Sequence, residues 1–135
     1  MQTTHHDTVK TNAQAHERET TMRAIVQESY GSSETLRPAT TARPAIAADE
    51  VLIEVHAAGV DRGVWHLMTG LPYIVRVMGF GLRRPAQPVP GADIAGRVVA
   101  TGQDVERFEI GDEVFGIASG AYAEYAAAKE HKLTR

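Results

Sequence analysis

The stretch GADIAGRVVATGQDVERFEIGDEV, residues 91–114, decides how this chain is read. Its four glycines and six acidic residues surround a short apolar core, and Gly91 and Gly96 have the G-x-x-x-x-G spacing of a phosphate-binding loop. Such a loop needs Lys and then Ser or Thr directly after the second glycine, to reach phosphates and hold magnesium. Arg97 and Val98 stand there instead. A dinucleotide fingerprint needs G-x-G-x-x-G between a strand and a helix, whereas the residues after Gly96 are β-branched and strand-forming. Neither nucleotide reading stands. The glycines are read as tight turns and close backbone packing.

The segments on either side are also strand-like. MRAIVQESY, from Met22, is a β-prone run ended by the turn-forming GSS. EVLIEVHAAG alternates, with Val51, Ile53, Val55 and Ala57 on one face, the period of a half-buried strand, closed by Gly59. Pro38 and Pro44 punctuate a loop or an edge strand between them. DRGVWHLMTG predicts one or two helical turns with Val64, Leu67 and Met68 inward. A long Pro- and Gly-rich connection follows, PYIVRVMGFGLRRPAQPVPG, of a length that is often functional. DIAGRVVATG, VERFEIGDEVFG and AYAEYAAA supply further strands, and KEHKLTR ends the chain directly after the last. Several short strands with turn signals at this spacing predict a mainly β fold, a small barrel.

Composition narrows the function. The 135 residues fit one domain with a core. A net charge of −3 and a pI near 6.0 leave no basic footprint for nucleic acid. The chain has no cysteine, which removes disulfides and thiolate zinc sites and is compatible with a cytoplasmic location. No apolar run approaches the ~20 residues that span a bilayer, so no membrane partner is expected. Residues 1–21, polar and Thr-rich, read as a disordered leader whose His5, His6 and His16 are solvated. The ordered domain is placed at 22–135.

Taken in order, G-x-D-x-A-G-x-V, a glycine turn, a phenylalanine and G-D-x-V resemble the N-terminal, GroES-like domain of the medium-chain dehydrogenase/reductase superfamily. MRAIVQESYG resembles that family's first strand, DEVLIEVHAAGVDRGVWHLMTG its second strand and active-site helix, and GAYAEYAAAKEHKL the strand leading out of the barrel. The likeness is nearest to zinc-free quinone oxidoreductase-like members, including the reticulon-interacting group of NAD(P)H-dependent reductases, whose long loop HLMTGLPYIVRVMGFGLRRP resembles. It implies a partly open β-barrel with a short active-site helix. The Rossmann domain, which would hold most of the cofactor, is absent from these residues.

The resemblance implies roles residue by residue. Zinc-dependent relatives place a cysteine and a His-Glu pair where this chain has Asp61, Ala92 and Asp93. Alanine cannot ligate, and two carboxylates suit zinc poorly, so no metal is expected. Without a Lewis acid the substrate should be already activated, a quinone or an α,β-unsaturated carbonyl reduced by hydride from NADH or NADPH. Asp61 falls beside the nicotinamide, where zinc-free relatives usually carry asparagine. Arg62 falls where some relatives contact the cofactor pyrophosphate, the alternative being a solvated charge. His66 falls near the cofactor ribose, as a proton relay or as a packed histidine. Trp65 is either a wall of the substrate pocket or core, and Tyr73 a donor there or a loop-packing aromatic. Asp93 is expected to bond backbone or arginine side chains near the cleft.

The chain is thus expected to be the catalytic-domain part of a zinc-independent oxidoreductase, inactive alone, with a homodimer formed through the absent domain. The alternative is a stand-alone GroES-like module without catalysis, using its exposed cleft face and the apolar loop at 71–82 for a protein partner.

Overall fold

A computed structural model of the chain describes residues 20–74 and 76–135. The leader expected over residues 1–21 lies almost wholly outside them; its last residue, Thr21, already belongs to the first strand.

Strands β1 (Thr21–Gln27) and β2 (Leu36–Ala42) form an antiparallel pair. Strands β3 (Glu50–Ala58), β4 (Asp93–Thr101), β5 (Glu113–Ile117), β6 (Tyr125–Lys129) and β7 (Leu133–Thr134) form an antiparallel sheet in the order β6-β3-β4-β5-β7. The two sheets continue one another across the residues preceding β6. Ile25 donates its N–H to the Tyr122 carbonyl (2.8 Å), and Glu124 donates to that of Arg23 (3.1 Å). The result is a curled, partly open barrel, mainly β, that carries the short α-helix α1 (Arg62–Thr69).

Alternation decides which side chains fill it. Val51 and Ile53 of β3 and Val98 of β4 are completely buried, with Ile94, Phe108, Val114, Ala126, Ala128 and Leu133 around them. The expected inward face of β3 holds for Val51 and Ile53 and fails at Ala57, which is exposed. A register shift between Val55 and Ala57 against β4 is the cause, because one extra residue reverses the side to which later side chains point. β2 forms despite Pro38. Its partner Ile25 turns its N–H away, to Tyr122, so the missing proline donor lies on the outer edge and breaks no ladder bond.

Two glycines of the decisive stretch are explained by contact. A Cβ on Gly96 would lie 2.1 Å from the Glu54 carbonyl oxygen, so β3 and β4 approach only if that position is bare. Gly91 has a φ of 93°, and a Cβ there would meet the Tyr122 ring at 2.6 Å. The structure differs from expectation at the end of the chain. KEHKLTR does not simply trail from the last strand, because Leu133 and Thr134 form β7 by pairing with Gly116 and Phe115.

Candidate functional site

The site is organised by α1, which leaves the end of β3 through Gly59 and Val60. Asp61 is its N-cap, in extended conformation, with Oδ1 accepting from the Val64 N–H at 2.9 Å. Val64 is buried, Leu67 and Met68 are half-buried, and Gly70 closes the helix in the left-handed conformation, φ 63°. The inward set is the one the periodicity predicts.

A residue that carries no signal in the sequence ties α1 to the barrel. Gln27, only 3% exposed, is the buried polar residue among the described ones. Its Nε2 donates to the carbonyls of Met68 (2.6 Å) and Ser29 (2.8 Å). The first of these satisfies a carbonyl in the last turn of α1, which has no partner within the helix.

Asp93, at the start of β4, comes together with Asp61. The two carboxyls share a hydrogen bond, which holds the Asp93 proton on and pushes its pKa above the usual 3.8; burial and the Asp61 charge add to the effect. Asp61 shifts the other way, first through the Val64 N–H, and stays ionised. Asp93 was expected to bond backbone or arginine side chains. Its side chain instead faces Asp61, while its backbone carbonyl accepts from Gly59 N–H at 2.9 Å. Tyr122 completes this corner, donating its hydroxyl to the Gly59 carbonyl at 3.1 Å. Burial, then the negative field of Asp61 and Asp93, raise its pKa. No spacing in the sequence singles out Tyr122.

His66 is half-buried, and its Nδ1 lies 2.8 Å from the Leu71 carbonyl. A carbonyl only accepts, so Nδ1 carries the hydrogen and Nε2 is left as the acceptor of the neutral ring. Trp65 packs edge-on against the His66 ring and is 49% exposed, so it is not core. It lines a shallow groove with Gly31, Ser32 and Leu71. Tyr73 is 69% exposed with the Arg76 guanidinium over its ring. Arg62 is exposed and has no acceptor among the described residues.

Behind the helix lies a predominantly apolar cavity of about 310 Å³. Leu67, Met68, Phe80, Val89, Ala92 and Ala118 are among its walls, so it lies on the side of α1 away from Trp65. A larger, polar groove of about 780 Å³ lies between β1 and β3. Its charges serve one another, Arg23 with Glu124 (2.6 Å) and His56 with Glu54 (3.6 Å), which suits a packed sheet junction.

Residues 47–135 match the alcohol dehydrogenase GroES-like domain family. This chain belongs to that family. It is 36% identical over 115 residues to a chloroplastic quinone-oxidoreductase homologue of Spinacia oleracea, covering 82% of this chain and 33% of the relative. It is 36% identical over 116 residues to the Homo sapiens quinone oxidoreductase, covering 83% and 32%. Among solved structures, the quinone oxidoreductase of Coxiella burnetii superposes with a TM-score of 0.74 at 28% identity, covering 85% of this chain and 37% of that one. A mycobacterial protein solved in complex with NADPH gives 0.70 at 27% identity, covering 84% and 32%. The chain spans about a third of the length of the curated relatives it matches.

Zinc does not fit the corner. Ala92 offers no donor, Asp61 and Asp93 are hard carboxylates without an imidazole or thiolate beside them, and among the described residues no three His, Asp or Glu side chains converge. α1 presents an unpaired guanidinium at Arg62 and, one turn on, the His66 imidazole with one nitrogen already assigned.

Proposed function

We propose that this chain is the substrate-side domain of a zinc-independent, NAD(P)H-dependent oxidoreductase that reduces quinones or α,β-unsaturated carbonyls. The observation that carries this reading is the apolar cavity directly behind the helix that bears Asp61, Arg62 and His66. Its size and lining suit a planar apolar ring and offer no charged group to select a polar substrate. The relatives named as quinone oxidoreductases, and the mycobacterial structure holding NADPH, support the same assignment.

In this reading the cofactor supplies a hydride to the substrate. Arg62 contributes charge for the pyrophosphate, and the rest of the cofactor site lies outside the chain, so the chain alone turns over nothing. Asp61 already accepts from Val64 and from Asp93, so as an ionised group it has no hydrogen to offer a substrate oxygen. Its part is to fix the start of α1, and with it the placing of Arg62 and His66. His66, its Nδ1 committed to Leu71, is the proton relay through Nε2. Trp65 and Tyr73, expected at the substrate pocket from the resemblance, are not among the residues that line this cavity.

The cavity is tested at its rim. Ser119 is exposed and lines the opening. In the full-length protein Ser119→Phe should raise KM for a quinone by about tenfold, a loss of apolar contact of ~1–3 kcal/mol, while KM for NAD(P)H stays unchanged. Equal KM for the quinone would remove the cavity from the mechanism.

A further inference from the structure

The segment from Arg76 to Arg84 is built with its polar groups inward and its apolar side chains outward. On the inner side, the Tyr30 hydroxyl sits 2.7 Å from the Phe80 carbonyl and 2.6 Å from that of Gly81, sharing one proton between them. Arg76 donates Nε–H to the Gly70 carbonyl at 3.0 Å and stacks its guanidinium over the Tyr30 ring at 4.4 Å. On the outer side, Val77, Met78 and Leu82 are 73%, 70% and 69% exposed. A soluble loop with nothing to contact has the opposite arrangement.

Charge identifies what this face meets. Between Asp61 and Asp93 there is no acidic residue, while Arg62, Arg76, Arg83 and Arg84 all fall there, in a chain of net charge −3. Arg76 is spent on the inner anchor. Arg83 and Arg84 are exposed and have no acceptor among the described residues, whereas Arg23, Arg97, Arg135 and Lys129 each pair with a carboxylate. We propose that this face docks on an anionic lipid surface, with Val77, Met78 and Leu82 at the headgroup boundary and Arg83 and Arg84 on lipid phosphates. A second copy of the chain is disfavoured, because two-fold pairing of the face sets arginine against arginine with no carboxylate between. A lipid surface also needs no matching contour, which suits side chains that line neither cavity beside α1. No helix among the described residues is long and apolar enough to cross a membrane, so the contact is peripheral. It revises the expectation of no membrane partner, which considered spanning segments only, and it is independent of the proposed reaction.

The test is co-sedimentation of the full-length protein with vesicles of phosphatidylcholine alone and of phosphatidylcholine with phosphatidylglycerol. The protein should sediment with the anionic vesicles and remain in solution with the neutral ones. Arg83→Gln/Arg84→Gln should weaken the anionic binding about tenfold or more. Met78→Ser/Leu82→Ser should weaken it comparably, and both variants should keep the parent melting temperature. Failure to sediment, equal binding to both vesicles, or binding unmoved by either variant would overturn the proposal. So would a concentration-dependent dimer abolished by Met78→Ser/Leu82→Ser, or a stable complex with an acidic protein abolished by Arg83→Gln/Arg84→Gln without vesicle binding.

Discussion

Asp61 and Asp93 share a hydrogen bond where α1 meets β4, and the sharing drives their acidities apart. Asp93, raised above 3.8, stabilises the fold at low pH and loses that contribution as pH rises through its folded pKa. Asp61, lowered, stabilises above 3.8 and loses its contribution as pH falls through its folded pKa. The pair is therefore most favourable in the acid window between the two, where it holds one proton.

Asp93→Asn supplies the donor at every pH. Relative to the parent, its melting temperature should rise as pH climbs above 3.8 through the raised pKa of Asp93, as the parent pair loses its proton. Thermal melts at several pH values check this. A difference that does not change with pH would show that the two carboxyls do not share a proton.

Gln27 positions α1 from inside the barrel. Gln27→Leu keeps the volume but leaves the Met68 carbonyl with the longer bond from the Gly31 N–H (3.2 Å) alone, a cost of about 0.5–1.5 kcal/mol in urea unfolding. Hydrogen exchange in the last turn of α1 should accelerate more than in β3. Uniform acceleration would mean that Gln27 supports the fold generally rather than the helix.

Gly96→Ala tests the reading of the decisive stretch. The added methyl meets the Glu54 carbonyl, so β3 and β4 must separate, at about 1–3 kcal/mol. A variant as stable as the parent would contradict the close approach of these strands.

Tyr122→Phe removes the hydroxyl bond to Gly59 just before the helix, at about 0.5–1.5 kcal/mol. In the full-length enzyme it should shift kcat less than His66→Ala does. The latter deletes the proposed proton relay and is expected to lower kcat about 10–100-fold with KM for NAD(P)H nearly unchanged.

The β character, the inward face of α1 and the strand role of residues 93–101 were legible because each is a local period that burial enforces. The break in β3 at Ala57 was not, since a bulge depends on the neighbouring strand and leaves no mark in the pattern. β7 is two residues long, too short for any periodicity, and exists only because β5 offers an edge. Asp61, Arg62 and His66 are proposed from resemblance alone. What surrounds α1 was not legible: Gln27 and Tyr122 are ordinary strand and loop residues until the chain brings them to Met68 and Gly59, and the pairing of Asp61 with Asp93 spans a separation that no local pattern reports. Trp65, read either as pocket wall or as core, is half exposed because its neighbours Val64 and Leu67 take the inward side of so short a helix.

The central claim is hydride reduction of an activated acceptor without a metal. The direct measurement is NAD(P)H oxidation by the full-length protein with a water-soluble quinone, before and after exhaustive treatment with a metal chelator. The account predicts quinone-dependent oxidation at the same rate in both preparations. A rate abolished by the chelator and restored by zinc, or no quinone-dependent oxidation at all, would contradict it.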